Sequence, residues 1–165
     1  MKNLYIDFDG VILDTINATY DLIIKCEMNP KDELEMRKFY SELDWKELLK
    51  TTPIINDGIE CIQKIINANK FEVAILTHIN SLNEAIEKVK YIRKYFKDIT
   101  IIPVPKAISK TKMVHTEGAI LIDDYSKNIK EWCEEGGIGI MFSQQLKDKG
   151  YPVINRLDQI LDMDL

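Results

Sequence analysis

The chain has no uninterrupted apolar stretch near the ~20 residues that a membrane-spanning helix requires, which excludes a helical membrane protein. It has only three cysteines, Cys26, Cys61 and Cys133, an odd and scattered set within helix-like segments. They fit buried thiols, and neither a disulfide frame nor a zinc site. It has no basic stripe, because the lysines are spread along a sequence of net charge −5, so binding to a nucleic-acid polymer has no support. Internal repeats and low-complexity tracts are absent. The N-terminus enters a strand almost at once, with no apolar h-region followed by a small-residue cleavage site, and this predicts a cytoplasmic protein.

What is present is the composition of a globular domain, 45% hydrophobic and 30% charged over 165 residues, enough for one real core with a small insertion. Periodicity predicts a first strand at about residues 3–8. Later short apolar runs, "EVAILT", "TIIPVP", "GAILID" and "GIGIMF", alternate with helical segments at roughly 57–69, 81–95, 109–116 and 126–135. Such alternation predicts a Rossmann-like α/β fold, a parallel sheet between helical layers. Asn56 or Asp57, Ser81 and Ser126 fit as helix N-caps, and Gly136–Gly137 as a helix stop. One interval is too long for a single crossover. Residues 17–51 read as two or three short helices, with a boundary at Asn29–Pro30 and an apolar set of Phe39, Tyr40, Leu43, Trp45, Leu48 and Leu49. We read them as a small helical cap inserted after the first strand, over a core domain of residues 1–16 and 52–165. A helical annex that only packs on the core is the alternative.

The chemistry lies at the strand ends. In "LYIDFDGVILDT", Asp7 and Asp9 share a side of the chain, so alternation alone does not account for both. In "LIDDYSKN", Asp123 and Asp124 close a later strand. If the strands are parallel, four acids converge on one edge, a costly arrangement unless a cation offsets it. Mg²⁺ suits the set, since it takes one or two carboxylates and leaves room for phosphate oxygens. Between the acidic pairs lie Thr77, at a predicted strand end, and a lysine cluster, Lys106, Lys110 and Lys112. His78 reads as a substrate contact or as a polar loop residue. Asp14 and Thr15 read as caps of the following helix, His115 as a surface helix residue and Trp132 as core.

The order "DFDGVIL", Thr77, lysine cluster, "LIDD" resembles the haloacid dehalogenase superfamily of phosphatases over nearly the whole chain. The "LIDDYSKN" form and the helical insertion further resemble its deoxyribonucleotidase-like branch. The resemblance implies an Mg²⁺-dependent phosphomonoester hydrolase acting on a small phosphorylated metabolite such as a nucleoside monophosphate. Sugar-phosphate phosphatase and phosphomutase are the alternatives within the family. It implies Asp7 as nucleophile and Asp9 as general acid and base, with Thr77 and Lys110 on the phosphoryl group. Lys112 and Lys106 are the alternatives to Lys110. The metal would be held by Asp7, the main-chain carbonyl of Asp9 and Asp124, with Asp123 in support. A non-catalytic phospho-receiver module uses similar residues in another order, its acidic pair first and its acceptor on a middle strand.

Overall fold

The computed structural model describes residues 1–147 and 150–165. Six strands, β1 (Lys2–Ile6), β2 (Phe71–Ile79), β3 (Thr100–Pro105), β4 (Ile120–Asp123), β5 (Ile138–Phe142) and β6 (Val153–Ile154), form one sheet. Their order is β3-β2-β1-β4-β5-β6, and every neighbouring pair is parallel. The central strand β1 is apolar on both faces, as a strand covered by helices on both sides must be. Leu4 and Ile6 enter one core with Ile62 and Ile65 of helix α4 (Gly58–Ala68), Ile92 of α5 (Leu82–Arg93) and Leu157 and Ile160 of a C-terminal 3₁₀ turn. Tyr5 enters the other core with Leu121 and with Ile129 and Trp132 of α6 (Ser126–Glu134). Trp132 is fully buried, donates from Nε1 to the Ala119 carbonyl at 2.9 Å, and stacks edge-on against Tyr5 at 5.5 Å. The predicted three-layer α/β architecture is the one observed.

Between β1 and α4 lie three helices, α1 (Thr15–Lys25), α2 (Glu33–Glu42) and α3 (Trp45–Thr51). Each starts at an aspartate, Asp14, Asp32 and Asp44, whose side chain accepts from the first-turn amides. Trp45, Leu48 and Leu49 of α3 join the first core, whereas α2 buries no residue. Among the described residues no helix is long and apolar enough to cross a membrane.

Several local readings differ from the structure. The first strand stops at Ile6 because the Phe8 carbonyl gathers the amides of Val11, Ile12 and Leu13 at 3.4, 3.0 and 3.2 Å, closing a tight loop. Residues 109–116 form only a 3₁₀ turn at Lys110–Lys112: Met113 stays exposed, Gly118 at φ +70° turns the chain into β4, and His115 is therefore exposed but not helical. Ser126 is not the cap of α6, since Tyr125 holds that position with its amide on Asp123 Oδ1 at 2.9 Å. Ser81 does cap α5 through the Glu84 amide at 3.0 Å. Asp57 begins α4 without a side-chain cap and instead accepts from Arg156 Nη1 at 3.0 Å, while Asn56 Nδ2 donates to the Asn155 carbonyl at 2.7 Å. Of the cysteines, Cys61 is buried and Cys133 half-buried, but Cys26, just past the end of α1, is exposed. The stop after α6 is as predicted. Gly136 at φ +81° donates to Cys133 O and Gly137 to Trp132 O, a Schellman closure in which a Cβ on Gly137 would lie 2.3 Å from Trp132 Nε1.

Ile65 is fully buried between α4 and the sheet. Ile65→Ala should lower the unfolding free energy by about 2–5 kcal/mol, read as a lower urea midpoint with an unchanged slope.

Candidate active site

In a sheet of order 3-2-1-4-5-6 the chain direction of wrapping reverses between β1 and β4, and ligands bind beyond the carboxyl ends of the strands at that point. Asp7 follows β1 and Asp123 ends β4, so the two carboxylates flank the reversal. The Asp7 amide still bonds to Ile122 O at 3.0 Å, which fixes the residue as a continuation of the ladder. Lys110 reaches in from its 3₁₀ turn, with Nζ 2.8 Å from Asp7 Oδ1 and 2.6 Å from Asp123 Oδ2. Asp123 is fully buried and also accepts from Asn128 Nδ2 at 3.0 Å and from the Tyr125 amide. Asp124 lies beside them on the cleft. Gly10, at φ +74°, lets the β1 loop pass so close that a Cβ there would stand 2.1 Å from Asp124 Oδ2.

Ligand atoms of Asp7, Asp123 and Asp124 lie within 4.8 Å of one another. Burial pushes the Asp7 carboxyl up to about 7, with repulsion from Asp123 adding to the rise and Lys110 opposing it. Burial, then Asp7 and Asp123, push Asp124 up to about 9. Lys110 behaves in the opposite sense: burial works against its charge, but Asp7 and Asp123 outweigh burial and hold its pKa above the ordinary value. One ammonium thus serves a cluster of three carboxyl groups, bonding to Asp7 and Asp123. A hard divalent cation with oxygen ligands fits that donor set and offsets that excess of negative charge.

Asp9 turns its carboxylate elsewhere. Oδ1 accepts from Thr15 Oγ1 at 2.6 Å and Oδ2 from Lys88 Nζ at 2.6 Å. Thr15 thus serves Asp9, while Asp14 alone caps α1. Lys88 is buried on α5 and also pairs with Glu84 at 2.6 Å, donates to Thr77 Oγ1 at 2.9 Å and to His78 O at 3.0 Å, and lies 4.8 Å from the Trp45 ring. Thr77 is not the end of its strand, since β2 continues to Ile79, and its hydroxyl is buried against Lys88 rather than open. His78 lines the cleft with its Nε2–H on Ile108 O at 2.8 Å, and burial lowers its pKa. Lys106 is exposed at the cleft mouth, 5.9 Å from the Tyr125 ring, and Lys112 is exposed away from the acids, 3.7 Å from Glu135. Of the three candidate lysines, Lys110 alone reaches Asp7. The cleft has a volume of about 420 Å³ and is walled on the side of α1, α2 and α3 by Ile16, Thr19, Tyr40 and Trp45.

Sequence reading missed Lys88 and Glu84. Their signal was present: Glu84, Lys88 and Ile92 recur at i, i+4 and i+8, so a face that buries Ile92 buries the pair as well.

No protein-family profile matches the sequence. No curated protein matches it either. Solved structures do. A HAD-superfamily hydrolase, subfamily IA, from Geobacter sulfurreducens superposes with a TM-score of 0.64 at 14% identity, covering 98% of both chains. The fold is that of the haloacid dehalogenase-like hydrolases. A HAD phosphatase from Thermococcus onnurineus gives a TM-score of 0.62 at 15% identity, covering 98% of this chain and 97% of its own. A putative HAD hydrolase from Bacillus subtilis, described as bound to magnesium, gives 0.58 at 15% identity with the same coverage. At such identities the likeness to these hydrolases is one of architecture, and the chemistry rests on the side chains of this site.

Removing Lys110 leaves Asp7 and Asp123 buried without a counter-charge. Lys110→Met should therefore cost about 3–5 kcal/mol in urea unfolding, and adding Asp123→Asn to it should recover part of that loss.

Proposed function

We propose that the protein is an Mg²⁺-dependent phosphomonoester hydrolase that works through a phosphoryl group carried on Asp7. The observation that carries this reading is the setting of Asp7. It stands at the sheet reversal with one oxygen on Lys110, and shares the cleft with a second carboxylic acid, Asp9, held two residues away. In the first step an Asp7 oxygen attacks phosphorus while the bond to the leaving oxygen breaks and Asp9 supplies the proton to that oxygen. In the second, Asp9 takes a proton from water, and the water oxygen attacks phosphorus, releasing Asp7 and inorganic phosphate. Lys110 offsets charge on both the nucleophile and the phosphoryl group, the contribution that dominates phosphoryl transfer. His78, on the cleft wall, would contact the phosphoryl oxygens, whereas the Thr77 hydroxyl is buried against Lys88. Asp7, Asp124 and the Asp9 main-chain carbonyl would hold Mg²⁺, with Asp123 fixing the lysine beside them. The ion, when bound, supplies electrostatic stabilisation of the transferring group.

The substrate is a small phosphorylated metabolite, and a nucleoside monophosphate is the class we favour. The cleft volume of about 420 Å³ and the aromatic walls Tyr40 and Trp45 support it. On this reading residues 17–51 are a cap over the core of residues 1–16 and 52–165, and exclude water during transfer.

EDTA should abolish hydrolysis of p-nitrophenyl phosphate and Mg²⁺ should restore it; full activity in chelator would overturn the metal assignment. Asp7→Asn should leave about 0.1% of wild-type turnover or less, and no trapped phosphoprotein. In a panel of nucleoside and sugar phosphates, Tyr40→Leu should shift relative kcat/KM among the esters by about tenfold while changing the small aryl ester little. An unchanged ranking would make the insertion packing only.

A further inference from the structure

We infer that Lys88 is a positioning residue for Asp9, holding the general acid in place from helix α5. The inference rests on the phosphatase reading above. Three observations converge on it. Lys88 Nζ meets Asp9 Oδ2 at 2.6 Å while Thr15 Oγ1 meets Oδ1 at 2.6 Å, so the carboxyl plane is gripped from two elements. A carboxyl group retains further lone-pair sites beyond these contacts, so the grip sets orientation without exhausting its capacity. Next, Glu84 stands 2.6 Å from the same ammonium, and both side chains are almost completely buried. Lys88 therefore keeps a carboxylate partner whatever Asp9 does during turnover. Finally, the flexible stem is confined: Nζ lies 5.1 Å from the Phe8 ring and 4.8 Å from the Trp45 ring, and bonds to Thr77 Oγ1 and His78 O. An ion pair serving only to fasten α5 to the sheet would be complete with Glu84 and the β2 groups. The contact to Asp9 reaches past them into the site.

The step at stake is proton delivery: as the bond from Asp7 to phosphorus forms and that to the leaving oxygen breaks, the Asp9 proton passes to that oxygen. Poor leaving groups need this proton far more than good ones. The test compares p-nitrophenyl phosphate with phenyl phosphate, esters of similar shape whose leaving groups differ in basicity. Lys88→Met together with Glu84→Gln removes the ammonium without stranding a buried carboxylate. The kcat on phenyl phosphate should fall at least about tenfold further than on p-nitrophenyl phosphate. A crystal structure of the variant should show Asp9 displaced, with Asp7, Lys110 and Asp123 unmoved. A variant that loses both esters equally, loses neither, or does not fold assigns Lys88 to packing and overturns the inference. A wild-type protein inactive on both esters would overturn the phosphatase reading, and this inference with it.

Discussion

Carboxylates that share a buried edge repel one another, and the rest of this molecule is arranged around that repulsion. Asp7, Asp123 and Asp124 come within 4.8 Å, with Asp9 on the same cleft. Nothing in a strand end offsets such charge by itself. The chain supplies two buried ammonium groups from opposite sides of the sheet. Lys110, after β3, joins Asp7 to Asp123, and Lys88, on α5, joins Asp9 to Glu84. Each lysine takes two carboxylates, and each resists the burial that works against its own charge. Geometry and electrostatics thus fix the acids in two pairs. Asp124 stands outside both pairs, within reach of Asp7 and Asp123.

What the sequence disclosed, it disclosed through periodicity and strand-end chemistry. Leu4, Ile6 and Tyr5 divide between two cores as alternation requires, and the same alternation sends Phe8 into the core beneath the acids. The acidic pairs were legible because carboxylates at the ends of apolar strands have no packing rationale. Lys110 was legible as the first choice among three lysines because it follows Ser109, and the 3₁₀ turn capped by Ser109 is what aims it inward. Lys88 was passed over, although its spacing from Ile92 carried the signal. An i, i+4 Glu–Lys pair on an amphipathic helix is ordinarily a solvated surface pair. Here the helical phase set by Tyr91 and Ile92 turns it toward the sheet.

The architecture shared with hydrolases at 14–15% identity shows how little of a sequence this fold constrains. Apolar strands of the right length, crossovers of one hand and a reversal between β1 and β4 suffice. Function asks more of fewer residues. Gly10 has its φ of +74° and its close approach to Asp124 because any side chain would displace that carboxylate, and Asn128 is buried to complete the shell of Asp123.

Helix α3 is tied to this charge arrangement rather than merely resting on it. The Trp45 amide donates to Asn83 Oδ1 on α5 at 3.0 Å, and the Trp45 ring covers the Lys88 ammonium. An indole over an ammonium both attracts it and excludes water from it. Displacing α3 from α5 would admit solvent to the Lys88–Asp9 pair and weaken it by raising the local dielectric. The packing of α3 and the setting of Asp9 are therefore linked through the Lys88 ammonium. A change of packing at α3 reaches the acid without touching it.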